Sequence, residues 1–251
     1  MNKGDHFYKI YDNCKLEQYA EGTLHPGGLE LTRKAFSLTR LGEGAKILDI
    51  GCGIGATVNY LSEEFGYMVI GVDSSAEMIS KCRSKYAGLQ FITGSADNLP
   101  VHSTEVDAVL MECSFSLIRD SEFALTECYR VLKEEGIIII SDIYYRKRLG
   151  KWTKDYFLDL MTEHGFILDV WEDCSVYLGQ LAATSIMNQG EACLLWDCLL
   201  SKEENRGLTV EQIKGFKPGY FLMIAHKHKG NEGSVQEHDH DGCSGNCGKG
   251  D

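Results

Sequence analysis

The stretch ILDIGCGIGATVNYL, residues 47–61, constrains this chain more than any other. Apolar residues run into three glycines, Gly51, Gly53 and Gly55, and then into a segment of helical spacing. A buried strand, a tight glycine loop and a helix N-terminus are the opening pieces of a parallel α/β unit. Such a loop leaves backbone N–H groups unpaired and aims a partial positive charge at whatever lies above it. Gly51, Gly53 and Ala56 fit the G-x-G-x-x-G/A pattern of dinucleotide enzymes. Asp49, at the end of the strand, argues against that ligand. Its carboxylate would repel a pyrophosphate and attract a ligand carrying an ammonium group.

The alternation continues. Strands are predicted at 46–50, 68–72, 89–92, 106–111 and 136–142, with helices near 55–65, 76–86 and 121–132. That is the signature of a parallel sheet covered on both faces. A helix at 153–164, a strand at 166–171 and a last strand at 219–226 follow. Between the last two strands, apolar residues keep helical spacing from Cys174 to about Gly207. This predicts a helical insertion over 175–207, whose Tyr177, Met187 and Trp196 are available to cover an acceptor. Residues 1–43 read as an N-terminal helical cap, 44–227 as the main domain and 228–251 as a flexible tail with little to bury.

Net charge of -12 argues against a nucleic-acid footprint, which needs clustered Lys and Arg, and equally against an anionic membrane. The one basic cluster, YYRKRLGK at 144–151, is short and reads as a solvated loop. No apolar run approaches the roughly 18 residues of a membrane helix, and the N-terminus has no secretory pattern. Ten cysteines without a paired framework read as reduced thiols, so a cytoplasmic protein with a small-molecule acceptor is expected.

Three further motifs give the loop its context. GVDSS places Asp73, with Ser74 beside it, at the end of the second strand, where either cofactor class presents ribose hydroxyls. GSADNLP follows the third strand, and VDAVLMECSFSL brings Glu112 and Cys113 to the end of the fourth. ECYRVLKEEGIIIISD then forms a helix-turn-strand, with Glu134 and Glu135 in the turn. In this order and spacing the motifs resemble the class I S-adenosylmethionine-dependent methyltransferases. The likeness is to the small-molecule branch of ubiquinone/menaquinone-type and arsenite methyltransferases, and it covers residues 46 to about 142. Glu134 and Glu135 depart from that family, which has a proline in the turn.

The resemblance implies a Rossmann-like α/β fold: a seven-stranded sheet in order 3-2-1-4-5-7-6, last strand antiparallel, with helices on both faces. It implies S-adenosylmethionine as methyl donor and S-adenosylhomocysteine as product. Asp49, Gly51, Cys52 and Gly53 would face the methionine part, Asp73 and Ser74 the ribose, and Ala96 and Asp97 the adenine edge. Met78 would pack on the adenine ring, and Glu112 would lie beside the cofactor. Methyl transfer needs a general base only when the acceptor is protonated. Glu112, Cys113, Tyr19, His25 and His102 are the candidates, and no catalytic residue is assigned. A metalloid or thiol acceptor is the alternative to carbon or oxygen.

The tail carries a separate signal. HDHDGCSGNC places His238, His240, Cys243 and Cys247 within ten residues, two imidazoles and two thiols suited to a transition metal. A non-catalytic cofactor-binding module, with that tail holding a metal or docking a protein partner such as a redox protein, is the second class of function these residues allow.

Overall fold

The computed structural model describes residues 23, 25–148, 151–189, 205 and 207–229. Seven strands form one sheet: β1 Lys46–Ile50, β2 Met68–Asp73, β3 Gln90–Thr93, β4 Val106–Glu112, β5 Leu132–Tyr145, β6 Phe166–Asp173 and β7 Pro218–Lys227. Their order is β3-β2-β1-β4-β5-β7-β6, as the resemblance implies. The pairs β1–β2, β1–β4, β2–β3 and β4–β5 are parallel. Strand β7 runs antiparallel to both β5 and β6. Flanking the sheet are α1 Gly28–Ser37, α2 Ala56–Phe65, α3 Ala76–Lys85, α4 Ser121–Val131, α5 Lys154–Glu163, α6 Ser175–Gln189 and the short α7 Val210–Gly215.

Local chemistry starts most of these helices. Ser75, Asp120 and Thr153 accept from the backbone N–H of Met78, Phe123 and Tyr156, satisfying a donor that the first helical turn cannot. Thr209 and Gln212 form a reciprocal capping box on α7. Helix α2 is different. Its cap is Gly55, in the left-handed region at φ 78, and no side chain closes its N-terminus.

Two boundaries differ from the sequence reading. The turn expected before residue 136 lies inside β5, which already pairs Leu132 with Val106. Register then shifts, so that Ile137 faces Ala108, and Glu135 takes a left-handed φ of 61. At its other end β5 continues to Tyr145 because β7 pairs with it from Ile137 opposite His226 to Tyr145 opposite Pro218. Within the expected insertion, α6 accounts for 175–189; Trp196 and most of the stretch to 207 lie outside the described residues. The expected cap contributes α1, while Tyr19 and the four tail ligands lie outside the described residues.

The core is centred on β4, β5 and β7. Phe157 of α5 is fully buried, its ring centroid 4.6 Å from that of Phe221, on which Trp171 stacks at 4.4 Å. Among the described residues, no helix is long and apolar enough to cross a membrane.

Candidate functional site

The parallel arrangement brings the C-terminal ends of β1, β2 and β4 to one edge of the sheet, where the strand order reverses between β1 and β4. Open α/β sheets bind ligands at such a switch point. After β1 the chain turns through Gly51, Gly53 and Gly55 at φ 81, 52 and 78, a left-handed path favourable only to glycine. Gly51 N–H donates to the Val72 carbonyl at 2.7 Å, tying the loop to β2. A Cβ on Gly51 would lie 2.4 Å from the Ser114 Cβ, so glycine is also the only residue that fits between β1 and the segment after β4.

A cavity of about 240 Å³ opens here, lined by Ile50, Gly51, Val72, Asp73, Ser74, Gly94, Ser95, Ala96, Ser114, Leu117 and Ile118. Four residues expected from the sequence therefore share one cavity: Gly51, Asp73, Ser74 and Ala96. Ser114, Leu117 and Ile118 were not singled out, although the small residue following Glu112 and Cys113 was visible in ECSFSL. Ser114 Oγ donates to the Ile50 carbonyl at 2.6 Å and so fixes the cavity wall to the end of β1. The remaining expected residues are not among those that line this cavity. Asp97 is exposed next to Ala96, while Met78 is buried in the first turn of α3. Cys52 is buried within the loop.

Asp73 organises the loop as well as facing the cavity. One carboxylate oxygen accepts from Gly53 N–H at 3.0 Å, the other from Ser75 N–H at 2.8 Å. Burial raises its pKa, and those two N–H donors oppose the rise. Asp49 has a harsher environment. It is 3% exposed, and its Oδ2 has no hydrogen-bond donor among the described residues. Burial, then the charges of Glu112 and Asp73, push its carboxyl well above the usual carboxylate range. An orphaned buried carboxylate oxygen is costly unless something cationic meets it.

Glu112 and His25, two candidates from distant parts of the sequence, are brought together. His25 Nε2 lies 3.1 Å from Glu112 Oε2, with both side chains buried. Thr32 and Thr57 donate to the same carboxylate at 2.9 and 3.1 Å. His25 Nδ1 faces the Pro26 carbonyl at 3.3 Å, whereas Nε2, although close to Glu112, makes no hydrogen bond of good geometry among the described residues. Burial works to lower the His25 pKa, but the Glu112 carboxylate and the Pro26 carbonyl outweigh it and the net change is upward. The pair reads as an imidazolium–carboxylate contact joining the segment before α1 to β4 and α2.

Cys113 follows Glu112 with a left-handed φ of 54, and its Sγ lies 3.4 Å from the Tyr220 hydroxyl. Tyr220 is fully buried, and burial followed by the Cys113 contact holds its phenol well above the ordinary value. His102 is exposed in the turn before β4, away from the cavity lining. Among the described residues, no group of three or more His, Cys, Asp or Glu is placed to hold a metal ion.

Comparison with known proteins agrees with this geometry. Residues 48–140 match the sequence family described as a methyltransferase domain. A fatty-acid O-methyltransferase of Mycolicibacterium smegmatis is 34% identical over 115 residues, 45% of this chain and 42% of that protein. This chain thus spans less than half of that relative. A ubiquinone/menaquinone biosynthesis C-methyltransferase of Campylobacter jejuni is 25% identical over 191 residues, 72% of this chain and 78% of that one. Among solved structures, a [4+2]-cyclase superposes with a TM-score of 0.69 at 20% identity, covering 90% of this chain and 95% of that chain. That likeness is one of fold.

Proposed function

The chain carries a class I S-adenosylmethionine-dependent methyltransferase domain, and from that premise we propose that it transfers a methyl group to a small-molecule acceptor. The observation that carries this reading is Asp49 Oδ2, a buried carboxylate oxygen without a donor among the described residues. It stands next to a glycine cradle that a single Cβ would fill. The residues present suit a ligand with an ammonium group and no phosphate, which describes S-adenosylmethionine and not a dinucleotide. When bound, that cofactor supplies a methyl group already activated by its sulfonium.

The chain's own part is binding and orientation. Asp49 offers its free oxygen to the ammonium, and Gly51 and Gly53 admit the methionine part without steric conflict. Asp73, held by two backbone donors, presents its remaining lone pairs to the ribose hydroxyls beside Ser74. Ala96 supports the adenine edge, with Asp97 next to it; Met78 buttresses the start of α3 from below. Glu112 and His25 hold each other, so neither is placed to take a proton from an acceptor. The rate enhancement then rests on in-line positioning and exclusion of water.

Calorimetric titration of S-adenosylmethionine, S-adenosylhomocysteine and NAD into the purified chain tests the reading. Binding of the two sulfur compounds without NAD is the expected result. Asp73→Ala should weaken that binding by ~1.5–3 kcal/mol, roughly 10- to 150-fold, through a lost charge-assisted hydrogen bond. NAD binding, or no binding of either sulfur compound, would overturn it.

A further inference from the structure

We propose that His25 binds the carboxylate of the methyl donor's amino-acid end, so that His25 and Asp49 together read both charges of an α-amino acid. Among the described residues, two buried side-chain nitrogen or oxygen atoms lack a hydrogen-bond partner: His25 Nε2 and Asp49 Oδ2. Both belong to one buried cluster. Asp49 stands opposite Leu110 in the β1–β4 pairing, and Glu112 follows two residues later on β4. The carboxylates of Asp49 and Glu112 therefore project from the same face of the sheet, with Cα atoms about 8 Å apart by ordinary strand spacing and rise. His25 Nε2 lies 3.1 Å from Glu112 Oε2, which brings the second orphan to the same place.

Glu112 turns its oxygens to the Thr32 and Thr57 hydroxyls, and the imidazole, although within ion-pair distance, meets it at an angle that makes no hydrogen bond. Burial opposes a second proton on the ring, but the Glu112 carboxylate outweighs it, so Nε2 is a donor. The backbone holds the ring where it is. His25 opens the turn HPGG, in which Gly28 N–H donates to the His25 carbonyl at 3.2 Å. Gly27, at φ 85 and ψ -13, takes the i+2 geometry of a type II turn, and Pro26 presets the position before it. A Cβ on Gly27 would lie 2.8 Å from Leu31 Cβ and 3.0 Å from the Tyr177 ring, so the turn is wedged between α1 and α6. Approach is from the cofactor cavity, which is lined by Ile50 and Gly51, just after Asp49, and by Ser114, two residues after Glu112. An ammonium supplies the donor that Asp49 Oδ2 lacks, and a carboxylate the acceptor that His25 Nε2 lacks. An α-amino acid carries both on one carbon. A ligand with the ammonium alone would leave His25 unsatisfied. This role for His25 rests on the methyltransferase reading above and adds to it the residue that selects the carboxylate.

The test is calorimetric titration of S-adenosylmethionine, decarboxylated S-adenosylmethionine and methylthioadenosine into the full chain. The second compound keeps the ammonium and lacks the carboxylate; the third lacks the whole amino-acid end. The wild-type chain should bind S-adenosylmethionine roughly 10- to 150-fold more tightly than the decarboxylated compound, the difference made by one charge-assisted hydrogen bond. His25→Ala, with its fold checked by circular dichroism, should bind those two alike, having lost affinity for S-adenosylmethionine alone. His25→Gln, which keeps a neutral N–H donor, should recover part of the preference. Asp49→Asn should weaken both ammonium ligands and leave methylthioadenosine unaffected. Equal binding of S-adenosylmethionine and its decarboxylated form by the wild-type chain would overturn the proposal without recourse to any variant. So would a His25→Ala chain that keeps the wild-type preference, or one that loses affinity for all three ligands in the same proportion, as a merely structural residue would. If the wild-type chain binds none of the three, the methyltransferase reading falls and this assignment falls with it.

Discussion

Replacing His25 with alanine removes the cation facing a buried carboxylate. Glu112 would keep its bonds from Thr32 and Thr57 but lose the imidazolium 3.1 Å away. Breaking a buried ion pair costs about 3–5 kcal/mol when the remaining charge is left bare. Two hydroxyl donors stay in place here, so the loss should be nearer ~2 kcal/mol. For a chain of this size that is roughly 4–8 °C in Tm. The pH dependence gives the experiment its discriminating power. The folded His25 pKa lies above its ordinary 6.5, so folding takes up a proton. The contribution is complete below the unfolded value and disappears as pH rises through the higher folded one. Calorimetric scans of His25→Ala, Glu112→Gln and the double variant, at about pH 6 and again near pH 9.5, would measure the coupling. The decrement should be larger at the lower pH and the two substitutions strongly non-additive. Additive single effects, or a decrement for His25→Ala that is unchanged across that pH range, would refute an imidazolium–carboxylate contact.

Other substitutions probe the site from different directions. Asp49→Asn should stabilise the ligand-free chain at neutral pH by about 1 kcal/mol or more, or ~2–4 °C, because an acid whose folded pKa is raised destabilises the fold once ionised. The same variant should lose affinity for S-adenosylmethionine, and scans with and without the cofactor would separate the two effects. The stabilisation should vanish below about pH 4, where the unfolded carboxyl is also protonated. Gly51→Ala sets a Cβ 2.4 Å from Ser114 Cβ at a φ of 81, which should cost ~2–4 kcal/mol in denaturant melts and close the cavity to ligand. Adding Ser114→Gly should relieve the clash but not the backbone strain, so recovery should be partial. Phe157→Ala should cost ~3–5 kcal/mol by leaving a hole against Phe221 and Trp171, while cofactor affinity per folded molecule stays unchanged.

Much of the fold was legible because its signals are local. Three glycines at alternate positions in the loop and uninterrupted apolar strands each dictate structure within a few residues. Strand order came from resemblance, and the observed sheet agrees with it. What escaped depended on partners remote in sequence. Lys133 to Gly136 read as a turn by likeness to the family's helix-turn-strand element, yet β4 draws Leu132 into the sheet and the register shifts before Ile137. The Thr209–Gln212 capping box was visible in the sequence, although α7 was not recognised from it. At the site, Asp73 could be placed by its position at a strand end, whereas Ala96 was placed by the resemblance. The meeting of His25 with Glu112 follows no periodicity, since it depends on how the segment before α1 folds back over β4.

The position of β7 has a consequence for how the chain is made. A ribosome releases Phe166–Asp173 well before Pro218–Lys227, yet the later segment is the one that lies between β5 and β6. Until it emerges, β6 has no neighbour to bond and the long outer edge of β5 is bare. The half of the sheet carrying the glycine loop can assemble during synthesis, but the other half must wait for β7. Nascent chains stalled before residue 218 should therefore hold an open β edge, available to chaperones or to a second stalled chain.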